Sequence, residues 1–259
     1  MKRWIALFAT LIALLAACGD DGSGEPATTT GAAAGTTQGT TSGGGTTTTA
    51  APATIPAGPE TVHFPTADGL TLEGTVFPAG PTWVLLAHMY PADMTSWFEF
   101  AAALQDAGYT ALAYNNRGYG ASEGGRDLID VGTDARGAAA FARSRGAGAV
   151  FFFGASMNGA AALFLGAEEE LAGIASLSGV PDWDNTPGLE RAPEVTEPAL
   201  FVAAQDDGDA VAMAEVMAAA VGGESEVVAY PTGGHGTDMF GDNPGLTMRL
   251  LDFVRAHTG

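Results

Sequence analysis

Cysteine is almost absent from this chain: Cys18 is the only one in 259 residues. No internal disulfide can form, and a zinc site built from several thiolates is excluded. Lysine is equally scarce, with Lys2 alone near the start. The body of the chain therefore has no lysine for a phosphate-binding loop or a pyridoxal Schiff base. Positive charge is thin throughout, with 10 basic residues against 30 acidic ones and a formal charge of −20. Such a surface repels phosphate backbones, which argues against nucleic acid as a partner. Long apolar runs are also missing. The run Trp4 to Ala17 is too short for a confident membrane span.

That run follows the basic start Met1-Lys2-Arg3, which is the layout of a secretory signal. It ends in Leu15-Ala16-Ala17-Cys18, which resembles the bacterial lipobox, where cleavage precedes a cysteine that then carries lipid. The resemblance implies a signal peptide over residues 1–17, a lipid on Cys18 and an extracytoplasmic protein anchored to a bacterial cell membrane. Residues 18–58 are rich in Thr, Gly and Ala, as in TTTGAAAGTTQGTTSGGGTTTT. With so little apolar surface to bury, this stretch is expected to be a disordered tether spanning roughly 35 Å. Residues 59–259 remain, enough for one well-cored domain.

That domain alternates strand and helix patterns. Thr61–Pro65 and Leu70–Phe77 suggest a hairpin around Asp68-Gly69. Apolar strands are expected at 83–87, 109–114, 149–153, 174–177, 200–203 and 226–230. Helices are expected at 96–107, 131–145, 157–166, 210–221 and 246–257. This order predicts an α/β fold, a mostly parallel sheet with helices on both faces. In such sheets functional groups gather just after the carboxyl ends of strands.

Gly154-Ala155-Ser156-Met157-Asn158-Gly159 follows the strand at 149–153 and nearly matches the G-x-S-x-G turn that presents a serine nucleophile. Asn158 stands where the second glycine belongs. Serine at the mouth of an alanine-rich helix is also a common cap, so the motif alone leaves both readings open. His235, in YPTGGHGTDMF, follows the last strand in a glycine-rich loop suited to a general base. LFVAAQDDGDA places Asp206, Asp207 and Asp209 after the preceding strand, any of which could orient that imidazole.

Together these segments resemble the α/β-hydrolase superfamily, in particular its dienelactone-hydrolase-like and esterase-like members with little or no lid. The resemblance covers essentially all of the domain. It aligns Asp207 with the superfamily's acid, Asp206 being the alternative, and the chain order Ser, Asp, His is the superfamily's own. VLLAHMYPADMTSW resembles its first oxyanion segment, with Met89 replacing a glycine. The resemblance implies an oxyanion hole from the Tyr90 and Met157 backbone N–H groups. A Tyr and Met pair there is also similar to cutinase-like polyester hydrolases. YNNRGYGASEG resembles the superfamily's next turn, where Arg117 is expected to brace a loop. Glu123 fills the third glycine's place, so this is not a dinucleotide fingerprint.

Tyr90 and Trp183 are the expected substrate contacts, with Met89, Met94, Trp97, Met239 and Phe240 as further apolar lining. The implied chemistry is carboxylic-ester hydrolysis without cofactor or metal, by a chain expected to be monomeric and to meet small or polymeric esters. A thioesterase or peptidase uses the same residues, and a non-catalytic binding lipoprotein could retain the fold. Replacing Cys18 with alanine is expected to move the protein from the membrane fraction to the soluble fraction of its host. An unchanged distribution, with no incorporated radiolabelled palmitate in the parent chain, counts against the lipid anchor.

Overall fold

The computed structural model describes residues 58–126 and 130–258. The signal peptide and all but the last residue of the tether lie outside the described residues. Eight strands form one sheet: β1 (Glu60–Pro65), β2 (Thr71–Phe77), β3 (Thr82–Ala87), β4 (Thr110–Tyr114), β5 (Ala149–Ala155), β6 (Gly173–Leu177), β7 (Ala199–Ala204) and β8 (Ser225–Tyr230). Their spatial order is β1-β2-β4-β3-β5-β6-β7-β8. β2 runs antiparallel to both neighbours, and every pairing from β4 to β8 is parallel.

The continuous apolar runs are explained by helices on both faces. Along β5, Val150 and Phe152 face one core, while Phe151, Phe153 and Ala155 face the other. β3 divides likewise, with Leu85 and Ala87 on one side and Val84 and Leu86 on the other. The first face is covered by α2 (Val131–Ser144), α3 (Asn158–Gly166) and α5 (Ala210–Ala220). The second carries α1 (Phe98–Asp106) and α7 (Gly245–His257). Two four-residue helices, α4 (Gly188–Arg191) and α6 (Met239–Asp242), sit in the connections before β7 and after β8.

The expected elements all occur, with ends displaced by a few residues. Met94–Trp97 is a tight 3₁₀ turn that leads into α1, so the α-helix starts at Phe98, not Ser96. Asp93 caps that turn by accepting from the Thr95 N–H at 2.9 Å. Arg117 braces its loop as anticipated. Its Nε lies 2.9 Å from buried Asp134 Oδ1, and its Nη1 lies 2.9 Å from Asp68 Oδ2.

β3 lies between β4 and β5, so successive connections leave it in opposite directions. The crevice this opens at the carboxyl ends of β3 and β5 is where open α/β sheets place their ligands. Phe152 is fully buried at the centre of the sheet. Replacing it with alanine is expected to cost about 3–5 kcal/mol of unfolding free energy. Urea denaturation checks this, and a loss under 1 kcal/mol would contradict the packing described.

Candidate functional site

Ser156 follows the last residue of β5 with φ = 53°, one of three non-glycine residues at positive φ among those described. A non-glycine residue held in that region costs roughly 1–2 kcal/mol and persists only where its surroundings impose it. They do so here through backbone bonds: Ser156 N–H donates to the Leu177 carbonyl at 3.0 Å, while the Ser156 carbonyl accepts from Gly159 at 2.8 Å and Val180 at 3.1 Å. The hydroxyl is not a helix cap. Met157 occupies the cap position of α3, with no side-chain capping bond.

The turn is tight because β5 passes into α3 almost without a loop. A Cβ on Gly154 would overlap the Asn158 carbonyl oxygen, and one on Gly159 would lie 2.6 Å from Gly179 Cα. The close approaches therefore fall on Gly154 and Gly159, and position 158 is free to carry a side chain. Asn158 uses it: the fully buried amide donates from Nδ2 to the His88 carbonyl at 2.7 Å. This ties the start of α3 to the segment just beyond β3, two residues before Tyr90.

His235 lies beyond β8. Its Nδ1 is 2.8 Å from Asp207 Oδ2, at the end of β7. The neighbouring Asp206 turns to the loop backbone instead, its two oxygens accepting from Gly233 N–H and Gly234 N–H at 3.2 Å each. Geometry thus separates two adjacent carboxylates that sequence alone left as alternatives. The loop is packed against the other two strand ends. A Cβ on Gly236 would lie 2.6 Å from Met89 Sδ and 3.5 Å from Ala155 Cβ. Among the hydrogen bonds of the described residues, none joins the Ser156 hydroxyl to the imidazole. Among the described residues, neither the Tyr90 nor the Met157 backbone N–H donates a hydrogen bond.

Comparison with known proteins agrees with this architecture. Residues 82–190 match the family model described as alpha/beta hydrolase fold. Uncharacterized proteins from two strains of Mycobacterium tuberculosis are 28% identical over 213 residues, covering 72% of this chain and 75% of each relative. An esterase from Pyrococcus furiosus superposes with a TM-score of 0.65 at 17% identity, over 78% of this chain and 91% of that one. An esterase from Exiguobacterium antarcticum gives 0.64 at 17%, over 75% and 99%. The fold is that of the α/β hydrolases.

Within this α/β-hydrolase fold the remaining expected contacts divide. Tyr90 is 57% exposed beside the β3 end. Trp183 is half-buried in the connection between β6 and β7, pairs through its backbone with Thr186, and packs against the core that holds Met157. Met94, Trp97 and Met239 are buried in the core under α1 and α7, with Phe240 packed against them. They belong to the packing of that layer, as most methionines and aromatics with apolar neighbours do.

The sequence offered the Asn158 amide as a donor to a neighbouring loop, and the His88 carbonyl is that partner. The contacts of Asp206 were missed, and nothing local signalled them. His88, which follows β3 in the segment that resembles the first oxyanion motif, is fully buried. Its Nε2 accepts from the Asn116 N–H at 3.1 Å, its Nδ1 lies 2.9 Å from the Met89 carbonyl, and its ring packs on Tyr119. These bonds require a neutral ring protonated on Nδ1. Burial lowers its pKa from 6.5 to about 4. Between those values the unfolded chain binds a proton that the folded chain refuses, so stability is lost as pH falls through that window. The loss attributable to His88 is about 3 kcal/mol. The stability gap between the parent and His88→Gln, measured by urea unfolding, is expected to shrink by that amount from pH 7 to pH 4. A gap independent of pH counts against the buried neutral ring.

Proposed function

We propose that this chain is a serine hydrolase that cleaves carboxylic esters. The observation carrying the proposal is the 2.8 Å contact of His235 Nδ1 with Asp207, on a loop packed against the end of β5 that the strained Ser156 follows. Ser156 is the nucleophile, His235 the general base and Asp207 the group that holds the imidazole tautomer and stabilises its charged form. The backbone N–H groups of Tyr90 and Met157 receive the oxygen that becomes negative. Tyr90 and Trp183 are the aromatic contacts for substrate. The esterase neighbours support an ester over other acyl substrates. The lipobox-like start supports action outside the cytoplasm, on a tether.

In this mechanism the serine hydroxyl, a poor nucleophile alone, loses its proton to His235 as it attacks the carbonyl carbon. The tetrahedral oxyanion forms against donors already fixed at two strand ends. Losing one such donor typically costs roughly 3 kcal/mol of barrier. His235 then protonates the departing oxygen, and water releases the acyl group by the same route in reverse. Asn158 holds the Ser156 turn to the segment that carries Tyr90, so nucleophile and oxyanion donor keep one spacing.

The test is covalent labelling with a fluorophosphonate, beside hydrolysis of matched p-nitrophenyl esters, thioesters and anilides. The parent chain is expected to take one adduct per molecule and to prefer esters. Ser156→Ala should take no adduct, and Asp207→Asn should lower kcat by about 10³–10⁴. A parent chain that neither labels nor turns over any of the three substrate classes is a binding protein instead.

A further inference from the structure

A cavity of about 270 Å³ opens between the ends of β6 and β7, on the far side of the Ser156 turn from Tyr90. Its walls include Val180, Ala210 and Met213, and His235 and Asp207 stand at its edge. Val180 is bonded directly to the serine turn through its N–H to the Ser156 carbonyl. Met213 and Ala210 come from the first turn of α5, immediately after the strand end that supplies Asp207. The cavity therefore flanks the imidazole and lies one backbone bond from the Ser156 turn.

We propose that this cavity receives the leaving alcohol of the ester, and that the alcohol is compact, apolar and without negative charge. The inference rests on the serine-hydrolase reading. When the tetrahedral intermediate collapses, the carbon–oxygen bond to the alcohol breaks. The proton that His235 took from Ser156 moves to that alcohol's oxygen, and the acyl group stays on Ser156. The leaving oxygen must then lie within reach of the imidazole, and whatever it carries extends into the space flanking His235. The oxyanion is held from the opposite side, by the ends of β3 and α3.

Size and charge then fix the class of alcohol. The cavity, about 270 Å³, has room for a compact group on the scale of benzyl. Asp207 and Asp209 line it, and no arginine or lysine does. A carboxylate or phosphate on the alcohol would meet two like charges with no cation to balance them. Branched or aromatic uncharged alcohols fit, and anionic ones are turned away.

The experiment measures kcat/KM of the purified full-length protein on methyl, benzyl and 4-carboxybenzyl acetate, and on methyl acetate against methyl butyrate. The parent is expected to favour benzyl over 4-carboxybenzyl acetate at least twentyfold. Met213→Trp, which fills the cavity, should lower the benzyl-to-methyl ratio at least tenfold and move the butyrate-to-acetate ratio less than twofold. Val180→Phe gives the same reading should the tryptophan variant fail to fold. An unchanged benzyl-to-methyl ratio in the folded variant, or a change in the acyl ratio instead, overturns the assignment of the cavity. Equal turnover of benzyl and 4-carboxybenzyl acetate overturns the charge selection. Loss of the fluorophosphonate adduct on the parent chain is the separate result that removes the underlying reading, and this inference with it.

Discussion

The near-absence of a loop between β5 and α3 is the constraint on which the rest of the site depends. Gly154 lies so close to the Asn158 carbonyl that a single methyl group would force strand and helix apart. Across that contact Ser156 takes the left-handed conformation, and the backbone bonds to Leu177, Gly159 and Val180 hold it there. The serine thus stands above the sheet at the first turn of α3. A helix N-terminus is also where unsatisfied N–H groups and the positive end of the helix dipole lie. Strain, placement and electrostatics follow from one backbone approach.

Around that fixed point the other groups are delivered by strands buried on both faces. The two cores give each central strand two sets of side chains to lock, so the strand ends cannot shift independently. The weaker element is the loop after β8, because β8 is the edge strand and half its residues are exposed. That loop is held by added contacts: Asp206 to its glycine N–H groups, Asn243 to the Thr232 carbonyl at 2.9 Å, and Gly236 packed on Met89. Met89 therefore has a use at a position where a glycine was expected. Its thioether fills the space beneath the histidine loop, a place suited to a flexible, polarizable side chain.

Much of the fold was legible because its signals are local. An apolar run such as Trp83–Ala87 can be a doubly covered strand or little else when glycine and proline bound it, and the alternation with helices then sets the sheet. Ser156 and His235 were legible from their places after strands. The choice between Asp206 and Asp207 depended on the resemblance, since both follow β7 and only their directions in space differ. Asn158 could be read as a departure whose amide reaches a neighbouring loop, but its partner could not be named, because it is a backbone carbonyl 70 residues away. Which apolar residues near the site fill gaps was hidden for a related reason. Met94, Trp97 and Met239 lie near site loops in sequence, yet their side chains turn into the layer beneath α1 and α7.

Asp206 and Asp207 point to opposite duties although one peptide bond separates them. The first secures the backbone ahead of the imidazole and the second touches the ring, and the turn after β7 divides them: the Asp207 N–H donates back to the Ala204 carbonyl at 3.2 Å. The Gln205 N–H in the same turn donates at 2.8 Å to the carbonyl of Tyr230, the last residue of β8. One backbone bond therefore joins the turn that carries both carboxylates to the strand from which the histidine loop departs.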